Sequence, residues 1–189
     1  MIREVVITSL DATGEVHVAP MGVRDRDGAV VLAPFRPSRT LENVLADRRA
    51  VVNATDDVRV FAGCVTGRRS FAHLPTGCGV PRLADALAHE ELALAAVEHD
   101  AERPRLVCRV TGTASHAPFR GFNRAQGAVI EAAVLVSRLH LLPRERIETE
   151  MCYLTIAIER TAGEREREAW GWIVDAVAAH YAASPERMT

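Results

Sequence analysis

The stretch from Gly14 to Asp57 restricts the fold more than any other. It reads GEVHVAPMGVRDRDGAVVLAPFRPSRTLENVLADRRAVVNATDD. Two strand-like segments each carry an Ala-Pro step, Ala19-Pro20 and Ala33-Pro34. Between them, Asp25-Arg26-Asp27-Gly28 is a turn with Gly where positive φ is needed. Residues 16–23 and 29–33 are therefore expected to pair as a hairpin. The second segment opens into Pro34-Phe35-Arg36-Pro37-Ser38-Arg39-Thr40, a basic, hydroxyl-rich loop. Thr40 is expected to N-cap a short helix over 41–48, with Leu41, Val44 and Leu45 on its inner face. A strand over 50–53 follows, and Asp57 is placed to cap a second short helix over 58–65.

The same reading extends to about residue 118. Strands are expected over 4–10, 91–99 and 105–111, the last two joined by a turn at Asp100-Ala101-Glu102-Arg103-Pro104. Residues 66–82 read as a loop rich in Gly, Pro and Arg, and 83–89 are ambiguous. The connections are too short for parallel crossovers, so the strands should be antiparallel. About six strands with hairpin links point to a barrel. After Ser115 to Phe122 the pattern turns helical. Residues 123–142 are apolar, Pro143 starts a second helix over 144–159, and a third over 164–183 places Trp170, Ile173, Val174, Val177 and Tyr181 on one stripe. The expectation is a mainly β domain over 1–118 and a three-helix domain over 119–189.

Several function classes recede on composition. Hydrophobic residues make up 48% of the 189, enough for a sizeable core. With 23 basic and 25 acidic residues the net charge is -2, not the basic excess of a nucleic-acid or anionic-membrane binder. Cys64, Cys78, Cys108 and Cys152 show no C-x-x-C spacing, and no His stands at zinc-site spacing from them, so no metal is expected. The N-terminus lacks a signal-peptide pattern and no apolar run is long enough to span a bilayer. A soluble, cytoplasmic protein is the expectation.

Neither a Rossmann glycine fingerprint nor a Walker A sequence is present. The candidate chemistry lies in Arg36, Ser38, Arg39 and Thr40, beside Phe35. Arginine forks and hydroxyls donate to phosphate oxygens, and the amides of the helix start add partial positive charge. The same residues serve equally as an N-cap with solvated arginines. Ala19-Pro20-Met21-Gly22 and Val23 would let a backbone approach a flat ligand, or would mark a strand kink at Pro20. Asn53 and Thr55 share a strand face and would hydrogen-bond a ligand, or belong to a turn ahead of the next helix. Asn123 reads as an N-cap. Arg124 opposes the helix dipole at the first turn, as an anion partner or a surface residue. Glu131, in an apolar helix, needs a partner if buried. The histidines form no metal pattern, and no catalytic triad can be argued from residue order.

Four motifs in order, GEVHVAPMGV, PFRPSRTLENVL, VVNATDD and FRGFNRAQGAVIEAAVLVSRLHLL, resemble the flavin reductase-like, FMN-binding split barrels. The resemblance is to a branch of unknown function with a helical C-terminal extension, and it covers nearly the whole chain. It implies a six-stranded antiparallel split β-barrel with a C-terminal three-helix unit, and a homodimer with FMN at the subunit interface. Carried onto this chain, the loop over 36–40 would hold the FMN phosphate and residues 19–23 would lie against the isoalloxazine. Asn53 and Thr55 would line the same cleft, and Asn123 and Arg124 would reach it from the helical unit. The implied activity is a flavin reductase-like oxidoreduction of a small molecule with NAD(P)H as donor. The alternative is a non-catalytic FMN-binding protein acting as sensor, store or assembly partner. No catalytic residue is named by the sequence.

Overall fold

A computed structural model describes residues 1–183. In chain order these form β1 (Ile2–Leu10), β2 (Val16–Arg26), β3 (Ala29–Leu32), α1 (Arg39–Asp47), β4 (Arg49–Ala54) and α2 (Arg59–Val65). There follow β5 (His73–Leu74), β6 (Arg82–Leu83), β7 (Ala88–Glu98), β8 (Arg105–Ser115), α3 (Arg124–Val136), α4 (Arg144–Thr161) and α5 (Glu164–Ala182). They group into two compact units. One holds Met1–Asp56 and Ser70–Phe119, and the other holds Asp57–Arg69 and the residues from Arg120 onward. Residues 57–69, which carry α2, thus group with the C-terminal helices although barrel strands flank them in the chain.

The first unit is a closed barrel of six antiparallel strands in the order β1-β2-β3-β8-β7-β4. The expected hairpin of β2 and β3 turns at Asp27 and Gly28, both at positive φ (51° and 79°), as a two-residue turn matched to strand twist requires. Period-two alternation sends Val5, Ile7, Val23, Val30, Leu32, Ala50, Val52, Leu92, Leu94, Leu106 and Cys108 into one core. Helix α1 adds Leu41 and Val44 to that core, whereas Leu45, expected beside them, is exposed. Burial pushes the Cys108 thiol up to about 12, so it is an inert core side chain.

The barrel closes where β1 meets β4, over the pairs Val6↔Asn53, Ile7↔Val52 and Thr8↔Val51. Residues Val5 to Ser9 are buried on both faces of β1, because part of the 70–87 segment covers the outside of this seam. Asn53 ties seam and cover together. Its Nδ2 donates to Val6 O (3.1 Å), Thr8 Oγ1 (3.2 Å) and Val51 O (3.3 Å), and its Oδ1 accepts from Leu83 N–H (2.7 Å). Thr8 Oγ1 in turn donates to Pro81 O at 2.7 Å. The region expected as plain loop therefore carries the short pair β5–β6 and a fixed path across the barrel wall.

In the helical unit, α4 and α5 pack on α3 around Leu135, Leu139 and Ile147, and α2 packs on α3 and α5. The helix expected over 123–142 stops at Val136, and 137–142 continue as turns that still bury Leu139. Glu131 is exposed and needs no partner. Asp57, 5% exposed, meets Arg59 at 2.6 Å and Arg165 at 3.8 Å, and Arg59 reaches on to Glu168 at 3.1 Å. The α2 N-cap position is Val58, but Asp57 Oδ1 accepts the Arg59 N–H at 3.1 Å, so its carboxylate still serves the helix start. Burial pushes the Asp57 carboxyl up, but the Arg59 side chain and N–H, with the Arg59 and Arg165 charges, hold it below the usual value.

Two stability predictions follow from these buried groups. Asn53→Ala leaves the Leu83 N–H and the seam carbonyls without their partner, at a cost of about 2 kcal/mol. A thermal melt should show a loss of about 4–8 °C for a chain of this size, and an unchanged melt would make the amide dispensable. Asp57→Asn should destabilise the protein at pH 7 by about 1–3 kcal/mol. The folded carboxyl titrates below its unfolded value of about 3.9. The ion pair's contribution is thus complete above that value and is lost as pH falls through the folded one. Melts from pH 7 to 3 should show parent and variant converging at the acid end, and a constant gap would contradict the assignment.

Candidate functional site

The strand order leaves one part of the barrel wall unsealed. Strand β2 pairs with β1 along its length but with β3 only over Arg24–Arg26. Strand β8 pairs with β3 only up to Arg109. Among the described residues, the edges of β2 over 19–23 and β8 over 110–115 that face away from β1 and β7 therefore carry no ladder partner. Residues Ala19, Pro20, Met21 and Gly22 lie on that edge of β2, all half-buried, with Val23 fully buried beside them. Pro20 has no N–H to contribute, which an unpaired edge tolerates. Gly22 has a reason of its own inside the wall. A Cβ there would meet Ile2 Cγ2 at 2.8 Å and Glu4 Oε1 at 3.1 Å, so β1 side chains occupy its space.

Helix α1 starts beside the same edge, for Arg39 lines a narrow crevice with Asp11, Glu15, Val16, His17 and Asn43. The N-cap is Ser38, not Thr40. Its extended backbone (φ -158°, ψ 147°) and its Oγ, accepting Leu41 N–H at 3.3 Å, open the helix two residues earlier than expected. Thr40 is buried in the first turn at 3% exposure. Among the described residues, its hydroxyl has no hydrogen-bond partner, and neither do the backbone N–H groups of Arg39 and Thr40. Arg36 and Arg39 form no ion pair among these residues, although Arg39 is close enough to help lower the Asp11 carboxyl, which mainly the Thr13 hydroxyl and the Glu15 and Thr13 amides hold down. Free helix-start amides, a free hydroxyl and two guanidinium groups are the donor set that suits a phosphate monoester.

Arg36 lies on the other side of the loop, lining an open cavity of about 570 Å³ with His99, Asp100 and Ala101 of the β7–β8 turn. Phe35 is exposed and Arg103 lies over its ring, with the guanidinium carbon 4.3 Å from the centroid. The loop thus presents Arg36 and Arg39 to separate depressions that flank the helix start. The contribution of the 99–103 turn was not read from the sequence. Its Asp100 turn chemistry was legible, but nothing in the residue order says which loop it touches.

Of the other candidates, Asn53 and Asn123 are committed to internal bonds. Asn53 is fully buried with both ends of its amide engaged at the barrel seam. Thr55 is half-buried just after β4. Asn123 caps α3 through Ala125 N–H (2.8 Å) and donates to Thr161 O (3.0 Å) at the end of α4. Arg124 is exposed in the first turn of α3. A feature the sequence did not signal is a cluster of two imidazoles and a carboxylate, His89 and Glu91 on β7 with His116 just after β8. His89 Nδ1 lies 2.8 Å from His116 Nε2, and His89 Nε2 lies 3.6 Å from Glu91 Oε1. Burial, with the nearby Arg82 and His89 charges, lowers the His116 pKa. No described helix is long and apolar enough to cross a membrane.

Comparison with solved structures supports the barrel assignment. An FMN-bound protein from Methanosarcina mazei, itself of the DUF447 family, superposes with a TM-score of 0.81 at 19% identity, covering 93% of this chain and 94% of that one. Component B of nitrilotriacetate monooxygenase from Mycobacterium thermoresistibile matches at a TM-score of 0.53 and 20% identity, over 62% of this chain and 70% of that one. The flavin reductase of styrene monooxygenase from Pseudomonas putida S12 matches at 0.53 and 18%, over 60% and 81%. The barrel is thus of the flavin reductase-like split type, and the long match extends through the helices that follow it. The model described as the N-terminal domain of the protein of unknown function DUF447 matches residues 3–117, and the DUF447 C-terminal model matches 123–175. Matched in order by both models over most of its length, the chain belongs to the DUF447 family.

Proposed function

We propose that this chain binds FMN on its barrel unit and acts as a flavin-dependent oxidoreductase of flavin reductase-like type on a small molecule. The observation that carries this reading is the donor set at the start of α1. The Thr40 hydroxyl and the Arg39 and Thr40 amides have no partner among the described residues, and Arg36 and Arg39 flank them. Donors left free together at a helix start suit an anionic ligand, which the amides and their partial positive charge favour. The FMN-bound relative from Methanosarcina mazei supports FMN as that ligand.

In this reading Ser38 holds the helix start open, and Arg36, Arg39 and Thr40 bind the phosphate. The unpaired β2 edge over 19–23 offers main-chain donors and acceptors to the polar rim of a ring. Thr55 lines the same end of the barrel, and Asn53 acts behind it by holding the seam. Arg124 belongs to the helical unit and contributes through a partner subunit in a homodimer, while Asn123 acts behind it by capping the helix that presents it. When bound, FMN supplies the hydride- or electron-transfer chemistry, while the protein sets position, polarity and water exclusion. NADH or NADPH is the proposed donor and the cytoplasm the proposed location. Residues 1–118 are assigned to FMN and 119–189 to the helical domain, with 57–69 an excursion of the first into the second.

The purified protein should take up FMN, and Arg36→Ala with Thr40→Ala should weaken that binding by about 3 kcal/mol or more, given about 1.5–3 for each charge-assisted bond. Flavin-fluorescence titration reads the difference directly, and equal affinity in parent and double variant would move the phosphate elsewhere. Anaerobic mixing of the FMN-loaded protein with NADH or NADPH should bleach the flavin band. No bleaching with either would favour the reading as an FMN-binding protein without turnover. Sizing at micromolar concentration should give a dimer, and a monomer would remove the interface model.

A further inference from the structure

The loop that carries the proposed phosphate site cannot hold its own shape. Residues 33–37 leave β3 and reach the Ser38 cap through two prolines, so Pro34 and Pro37 contribute no N–H groups. Of the remaining amides, Arg36 N–H is spent outside the loop, on Glu102 O at 2.8 Å. The loop's first carbonyl, Ala33 O, is also held from outside. It accepts from both Nε (3.2 Å) and Nη2 (2.9 Å) of Arg103. The same guanidinium covers the exposed Phe35 ring at 4.3 Å. Three contacts therefore run from one short turn to three successive parts of the loop.

That turn is itself braced. Asp100 Oδ1 accepts from Glu102 N–H (2.9 Å) and Arg103 N–H (2.8 Å), and Pro104 is buried where β8 begins. The planar fork of arginine suits this duty. It meets one carbonyl with two donors while its charge lies over an aromatic ring, and a lysine ammonium has no such fork.

We infer that Arg103, on the β7–β8 turn, is a positioning residue for the phosphate end of the flavin site, ordering the 33–37 loop that holds Arg36 beside the helix start. This rests on the FMN reading above. It makes a selective statement, because riboflavin has the same ring system as FMN but no phosphate. Loss of Arg103 should therefore reduce the advantage of FMN over riboflavin and leave the affinity for riboflavin itself alone.

Fluorescence titration of the full chain with FMN and with riboflavin tests this. Arg103→Ala should weaken FMN binding by about tenfold or more while riboflavin binding stays within about twofold. Arg103→Lys should recover only part of the loss. If Arg103→Ala keeps the parent's ratio, or weakens both flavins equally as a general loss of folding would, the inference is overturned while the FMN reading stands. If the parent protein binds neither flavin, the FMN reading itself fails.

Discussion

The structure depends first on a short seam. Three residue pairs between β1 and β4 turn a six-stranded sheet into a closed barrel. A seam that brief, closed between strands about forty residues apart, is vulnerable to opening, since loop closure has to be repaid by few contacts. Asn53 supplies what the ladder lacks. Its single amide bonds both strands of the seam and the segment laid over them. A buried amide with both ends satisfied gives the seam a unique register, where an apolar residue would permit sliding.

Closure at one place permits opening at another. Because β2 and β8 part from β3 after a few pairs, the wall opposite the seam keeps free main-chain edges, and α1 starts beside them. An exposed edge is a liability that proteins normally cover. Here a flat, polar-rimmed ligand or a second subunit would cover it, which is why this edge and the α1 donors are read as one site. The prolines that free the 33–37 loop from the ladder also leave it without support of its own, and the β7–β8 turn supplies that support.

The helical unit follows a different physics. It is assembled around α3 by apolar contact and fastened by polar groups at helix ends. Asn123 and Thr161 join the starts and ends of α3 and α4, Glu166 closes the start of α5, and Asp57 with Arg59 ties α2 to α5. Residues read from sequence as ligand candidates, Asn123 above all, are engaged in this fastening. Polar side chains at helix starts look alike in sequence whether they face a ligand or a backbone amide.

Local rules alone determined the hairpins, the turn at Asp27-Gly28, the change to helices near residue 120 and the basic loop ahead of α1. Each is set by neighbours within a few residues, through φ preferences, period-two or helical spacing and capping chemistry. The same rules misplaced the cap at Thr40 by two residues and ran α3 on to Leu142, because element ends are decided by competing bonds worth about 1 kcal/mol each. Tertiary structure decided the rest. It alone set which strands close the barrel, which edge stays open, that Asn53 faces Leu83 and that Arg103 grips Ala33. These contacts join residues 30 to 70 positions apart, and no local pattern records them.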